Sequence, residues 1–453
     1  MTDNLLDLVD QTVFLGEQAT GATSLIQCAW IYDGGADLDG LREFHQHLQH
    51  GRLSRRVERS PLAFGRHRWV TPQDTTEIEI VTVPRPRADF DAWLSEQADT
   101  PLDCERGPGW HLAVLPFTDG GSGVSLVISH TLTDGVGICL ALADAAAGRD
   151  DAVEWPAAGS RRRWRAVRQD AAQTMRDVPA VARALRAAAR MARQHRKEAK
   201  ARVRAPKAVV VNNDRLTLPM ATAFIDVADW DTRARLLGGT SNALLAGLAV
   251  DVARRIGRVN ADGTITVAIP VNERIDGDTR SNAVTNVDVM VAPSETTADL
   301  SGLRAGIKAA LIRHNDVPDE RWALLPIVPL LPKRVVRRMV SVASGGDTAS
   351  VISSNIGDID PVVNRPDGTD ADQFTLRSRY PGITRATMHR AGGVLAFASG
   401  RINGRVFITV LSYQPGGMNS DSALQQTLSH ALADLSLTPT DQANRVSTMR
   451  KTA

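Results

Sequence analysis

The chain has 453 residues, of which 43% are hydrophobic and 23% charged, with 53 Lys and Arg against 51 Asp and Glu. That length and composition fit a globular protein of two domains of about 200 residues each. They exclude a disordered or fibrous chain, and no apolar run reaches the roughly eighteen residues that a bilayer-crossing helix needs.

Asp3, Asp7 and Asp10 interrupt any leader pattern at the amino terminus, so a cytoplasmic location is expected. Residues 24–32 then read as a strand and 38–50 as a helix. His45, His47 and His50 sit on that polar helix without an obvious carboxylate partner, and no metal is expected there. Residues 77–82 read as a strand, 89–97 as a helix carrying Phe90 and Trp93, and 112–115 as a short strand. Gly120-Gly121-Ser122-Gly123 has the composition of a hairpin turn, and neither a Walker-type loop nor a dinucleotide fingerprint is present. Cys28, Cys104 and Cys139 are isolated from one another, which suits a reducing compartment.

The most informative stretch follows. Val124-Ser125-Leu126-Val127-Ile128 is a buried-strand pattern that ends at Ser129-His130, and Asp134-Gly135 comes next, before a helix over 138–147. This pattern, His-x-x-x-Asp-Gly, puts an imidazole at a strand end where a base can face a cleft. The aspartate turns the chain and is free to hold the local backbone. A strand-turn-helix connection with a partly satisfied histidine has the same local pattern, so the neighbouring elements must decide between the two.

Beyond the motif the chain becomes basic from Arg161 to Lys207. Trp164, Val167, Ala171, Met175, Val178, Ala182, Leu185 and Met191 recur at helical spacing, giving one or two amphipathic helices with a basic face. That face is either simply solvated or a contact for an anionic membrane surface, an acidic carrier protein or cofactor phosphates. Nucleic acid is not expected, since no binding module or interleaved aromatic pattern accompanies the charge. An α/β pattern then resumes, with strands over 221–227, 263–271, 287–291, 349–353, 393–399 and 405–413. Helices are read over 242–256, 300–314 and 420–435, the first of them capped by Thr240-Ser241. The proline-broken apolar stretch 323–332 reads as a buried connection, an acyl-channel lining or a membrane contact.

Taken in order, these pieces resemble the condensation-domain superfamily of acyltransferases with the chloramphenicol-acetyltransferase-like fold. The bacterial wax ester synthase/diacylglycerol acyltransferase type is the most similar branch. The resemblance rests on Leu5-Leu6-Asp7 to Phe14-Leu15-Gly16-Glu17, Pro101-Leu102-Asp103 leading to Trp110, and His130 to Gly135. It continues through Thr240 to Leu245, Pro270-Val271-Asn272-Glu273-Arg274, Ser354-Asn355 and Leu411-Ser412-Tyr413. Three departures stand out: Ser129 replaces the first histidine of the usual pair, Pro108-Gly109-Trp110-His111 replaces a Pro-Leu-Trp-Glu step, and Ser281-Asn282 replaces a Gly-Asn pair.

The resemblance implies an α/β fold of two lobes with the active site in a tunnel between them. It gives residues 1–160 as the first lobe, 161–207 as a basic crossover and 208–453 as the second lobe. It implies acyl transfer from a thioester on coenzyme A or phosphopantetheine to an alcohol, with no permanently bound cofactor and His130 as general base. Asp134 would be held by a cation, with Arg274 as its partner, and Asn355, Asn282 and the amide near Gly135 would serve as oxyanion donors. An amide- or ester-forming condensation enzyme and a non-catalytic lipid- or partner-binding relative are the competing readings. An acyl carrier protein and a membrane surface are the partners to consider.

Overall fold

Two β-sheets carry the fold of the computed structural model, which describes residues 4–72, 75–149, 153–201, 213–293, 298–316, 322–337 and 350–440. The amino-terminal part supplies α1 (Leu8–Thr20), β1 (Leu25–Tyr32), α2 (Leu38–His50), β2 (Arg56–Glu58), β3 (Arg68–Val70) and β4 (Glu79–Ile80). It continues with α3 (Phe90–Ala98), β5 (Trp110–Pro116), β6 (Ser122–Ser129), α4 (Gly135–Ala146) and the long α5 (Arg163–Ala201). Next come β7 (Met220–Asp226), α6 (Val227–Leu236), α7 (Ser241–Arg255), β8 (Ile265–Asn272), β9 (Val284–Val291) and α8 (Ser301–Asp316). The chain closes with β10 (Ser350–Asp358), β11 (Gln373–Arg379), α9 (Arg385–Arg390), β12 (Val394–Ile402), β13 (Arg405–Tyr413) and α10 (Asp421–Asp434).

The first sheet has the order β11-β1-β6-β5-β4 and the second β7-β13-β12-β10-β8-β9. β6 is buried at all eight positions because both faces of its sheet are covered, as a near-continuous apolar run demands. Phe90, Trp93 and Leu94 of α3 pack against Ala113 and Leu115 on one face. Leu126 and Ile128 join Leu41, Phe44, Ile138 and Leu142 of α2 and α4 on the other. In the second sheet β8 alternates buried and half-buried residues, so one face packs on α7, α8 and α10 around Leu248, Ile307 and Leu428.

The turn at 120–123 is shorter than its glycines imply. Ser122 and Gly123 already pair within β6, opposite Pro116 and Leu115. A Cβ at Gly123 would lie within 3.0 Å of three atoms of the Phe90 ring, so this glycine makes room for an aromatic residue rather than for a turn. Among the described residues the crossover is a single helix that continues through Pro179, while Arg202, Arg204 and Lys207 lie outside the described residues. Its start is tied to the first lobe by Asp170, which takes bonds from Ser60, Arg68 and Arg161. The proline-broken stretch forms a 3-10 segment, Trp322–Leu330, packed on α5 and α1 with Ile327 and Val328 buried.

β11 falls within the carboxy-terminal stretch of the chain yet completes the first sheet. It runs antiparallel to β1, with Leu25 opposite Arg379 and Ile31 opposite Gln373. The Thr409 hydroxyl of β13 donates to the Leu376 carbonyl (2.8 Å), and the Phe374 and Phe407 rings meet edge-on at 5.7 Å. The two lobes are therefore stitched together through this strand.

Candidate active site

At the end of β6 the chain leaves the sheet at His130, whose amide donates to the Ser24 carbonyl (2.8 Å). Its own carbonyl accepts from Asn282 Nδ2 (3.1 Å), a residue of the loop between β8 and β9 in the other lobe. Glu17 of α1 accepts from the Ser24 amide (3.0 Å) and from the Thr131 hydroxyl (3.1 Å), tying the residue after the histidine to the start of β1. Ser129 is buried, and its hydroxyl accepts from the Thr131 amide (3.2 Å). The residue is half-buried, and its Nδ1 is enclosed with no hydrogen-bond partner among the described residues, which leaves Nε2 as the ring nitrogen to meet a substrate.

Asp134 is 5% exposed and caps α4, accepting from the Gly137 amide (2.6 Å). Its second oxygen takes Arg274 Nη2 (2.9 Å) and the Ala283 amide (2.8 Å), both from the β8–β9 loop. Arg274 also donates to the Arg280 (2.9 Å) and Ser281 (3.0 Å) carbonyls. The expected Asp134–Arg274 pair therefore bridges the two lobes beneath the motif turn.

A second buried carboxylate and a second buried guanidinium lie beside it. Asp10 of α1 accepts from the Ser281 (3.1 Å) and Asn282 (2.8 Å) amides and from Asn282 Nδ2 (3.1 Å). Arg55 donates to the Thr279 (2.6 Å) and Leu132 (2.5 Å) carbonyls and stacks over the Trp69 ring at 4.7 Å. Two carboxylates and two guanidinium groups thus fix one loop from each lobe. Burial pushes the Asp10 carboxyl up to about 6, against the pull of Arg55 and its amide bonds, and lowers Arg55 to about 10. Burial likewise raises Glu17 to about 7.

These raised carboxyl values have a signed consequence. The folded chain holds both protons more tightly than the unfolded one, so the stability they contribute is complete near pH 4. It is lost as pH rises through about 6 and 7. Urea-unfolding midpoints of the wild type should therefore fall across this window, and Glu17→Gln should flatten the upper part of the decline. Superimposable pH profiles for the two proteins would refute the assignment to Glu17.

The glycines of the motif differ in what they do. A Cβ at Gly135 would rest 3.6 Å from Ile356 of β10, an ordinary contact. At Gly137 it would meet Thr133 Oγ1 at 2.6 Å and both Asp134 and Arg274 at 3.1 Å. Gly137→Ala should cost about 1–3 kcal/mol and Gly135→Ala well under that, as read by chemical denaturation; equal costs would contradict this packing.

Two amides do other work than the sequence suggests. Both hydrogens of Asn282 Nδ2 are committed, to Asp10 and to the His130 carbonyl, because this side chain closes the seam between the lobes. The Asn355 amide donates to Asn242 and, at 3.5 Å, to Ser241 at the start of α7, while its oxygen takes the Gly357 amide (3.0 Å). With the Gly137 amide taken by Asp134, the Gly135 and Val136 amides are the first-turn donors of α4 left beside the motif. His45 is held by Gln49 and Thr76 and packs edge-on to Trp110.

No family model matches the chain, and no curated protein matches it by sequence. Solved structures do match over almost the full length. The first condensation domain of the CDA synthetase aligns with 97% of this chain and 99% of its own at 14% identity and a TM-score of 0.59. The chain has the condensation-domain fold. A wax ester synthase/diacylglycerol acyltransferase from Marinobacter aquaeolei VT8 covers 96% of this chain and 98% of its own, at 15% identity and a TM-score of 0.56. Polyketide synthase associated protein 5 from Mycobacterium tuberculosis covers 95% and 98%, at 13% identity and 0.56. On this condensation-type fold, His130, Asp134, Gly135 and Arg274 come together at the lobe junction, whereas Asn355 bonds elsewhere.

Asp10, Arg55, Gly137 and the positioning function of Glu17 are what the sequence reading missed. A signal for the acidic pair existed. Asp10, Phe14 and Glu17 follow helical spacing on one face of α1, so two carboxylates share a side with a buried aromatic residue.

Proposed function

We propose that the protein is an acyltransferase that moves an acyl group from a coenzyme A or phosphopantetheine thioester to an alcohol, with His130 as general base. The observation that carries this reading is the half-buried His130 at the junction of two lobes, its Nδ1 enclosed and its backbone held by Ser24 and Asn282. The likeness of the fold to a condensation domain and a wax ester synthase supports the same chemistry.

In the proposed reaction Nε2 takes the hydroxyl proton as the alcohol oxygen bonds to the thioester carbonyl carbon. The carbonyl oxygen becomes an oxyanion, which the Gly135 and Val136 amides at the start of α4 stabilise. The carbonyl re-forms, the C–S bond breaks, and the thiolate leaves with the proton from the imidazolium. No acyl-enzyme is needed because the thioester is already activated. Asp134 and Arg274 act as positioning residues that hold the turn carrying the base.

The experiment is acceptor-dependent thiol release from short- and long-chain acyl-CoAs and carrier-bound thioesters, with alcohols and amines compared. Release that requires an alcohol and is lost in His130→Ala supports the reading. Release only with amines favours amide-forming condensation, the chemistry suggested by the likeness to peptide-synthetase condensation domains. Release from no thioester with any acceptor overturns both.

A further inference from the structure

α5 turns Ala166, Asp170, Ala184 and Ala187 inward, where it meets the 322–330 segment. Away from that contact Trp164, Val167, Met175, Val178 and Leu185 are exposed, from 39% at Val167 to 71% at Met175. With Ala171 and Ala182 between them, they recur every three or four residues and form one straight stripe. From Trp164 to Leu185 it is about 32 Å long at 1.5 Å per residue. Large apolar side chains aligned in solvent mark a contact surface, not random scatter.

A basic row lies beside this stripe. Arg165, Arg168, Arg176, Arg183 and Arg186 are exposed, and none makes an ion pair among the described residues. Arg165 and Arg168 lie over the Trp164 ring at 5.3 and 5.7 Å. The carboxylates of this part of the helix point elsewhere. Asp170 is buried against the first lobe and Asp177 takes a bond from Gln173. The end of the 3-10 segment and the residues after it also expose Leu330 and Val335, at 44% and 39%, with exposed Lys333 and Arg334 between them.

We propose that this face lies on an anionic lipid bilayer, with α5 in the plane of the interface. The stripe enters the acyl boundary while the arginines reach lipid phosphates alongside. The charge favours lipid, since five exposed arginines with no ion-pair partner among the described residues flank the apolar stripe. A second copy packed antiparallel on the same stripe would set the two arginine rows against each other.

Vesicle flotation of the full chain tests this, using phosphatidylcholine vesicles and vesicles of phosphatidylcholine and phosphatidylglycerol in equal parts. The protein should float with the mixed vesicles only, and less so as salt is raised. Combined Arg168→Gln, Arg176→Gln and Arg186→Gln should weaken partitioning by about a hundredfold. Combined Trp164→Ser, Met175→Ser and Leu185→Ser should abolish flotation with the circular dichroism spectrum unchanged. Met418→Ser, at an 89% exposed position in the turn before α10, should float as the wild type does. His130→Ala should also float normally, which separates this result from the acyl-transfer reading. Failure to float with mixed vesicles, indifference to both substitution sets, or a dimer dissociated by the serine variants would overturn the proposal.

Discussion

Replacing Asp134 by alanine should lower folding stability by about 3–5 kcal/mol, because it leaves the buried Arg274 guanidinium without its counter-charge. Three donors lose their acceptor at once: the Gly137 amide, the Ala283 amide and Arg274 Nη2. The amides belong to different lobes, so the loss should loosen the seam as well as the cap of α4. Asp134→Asn keeps an acceptor for the Gly137 amide and should cost less. Arg274→Ala strands the carboxylate instead. The double variant should cost less than the two singles together, with a coupling of about 1–3 kcal/mol. Denaturant titrations of the four proteins measure this directly. Strictly additive costs, or a single-variant cost below about 1 kcal/mol, would show that the pair does not hold the lobes.

His130→Ala should behave in the opposite way, with a large effect on rate and a small one on stability. A positioned general base contributes about 10²–10⁴-fold, so kcat should fall by that factor. The imidazole makes no side-chain hydrogen bond among the described residues and is half-buried, so its loss should change stability by no more than about 1 kcal/mol. Catalysis that survives the substitution would remove His130 from the chemistry. A collapse in stability would mean the ring is structural. The contrast with Asp134→Ala would separate the proposed base from the residues proposed to aim it.

The motif strand and its histidine were legible because β6 is buried on both faces and so reads as a near-continuous apolar run. The helices over 38–50 and 242–256 were legible for the related reason that spacing and caps agree. Asp37 and Thr240 accept from the first free amides of α2 and α7. β11 was not legible, since Gln-Phe-Thr-Leu-Arg-Ser-Arg carries two arginines that a pattern reading sends to solvent. Both are buried in the folded chain, where Arg377 donates to Asp91 and Arg379 to Gln27 and Ser95. Asp10 was opaque for the same reason, because its amide partners lie 271 and 272 residues away. Asn282 and Asn355 matched the chemistry of oxyanion donors, but Asp10 and the His130 carbonyl claim the hydrogens of the first, and the start of α7 those of the second. Sequence spacing reveals which side chains are available, whereas long-range partners decide how each is used.

The borrowed strand in the first sheet sets an order of events during synthesis. β1 stands between β6 and β11, so until residue 379 has been made one of its sides presents unpaired amides and carbonyls. At about 10 residues per second, the wait after β6 is complete is on the order of half a minute. Throughout it, the nascent first half displays an apolar strand edge of the kind that recruits other chains. Residues 1–160 made alone would keep that edge permanently and should aggregate. Adding 208–440 in trans can restore solubility only by donating β11, which makes the two fragments a natural complementation pair.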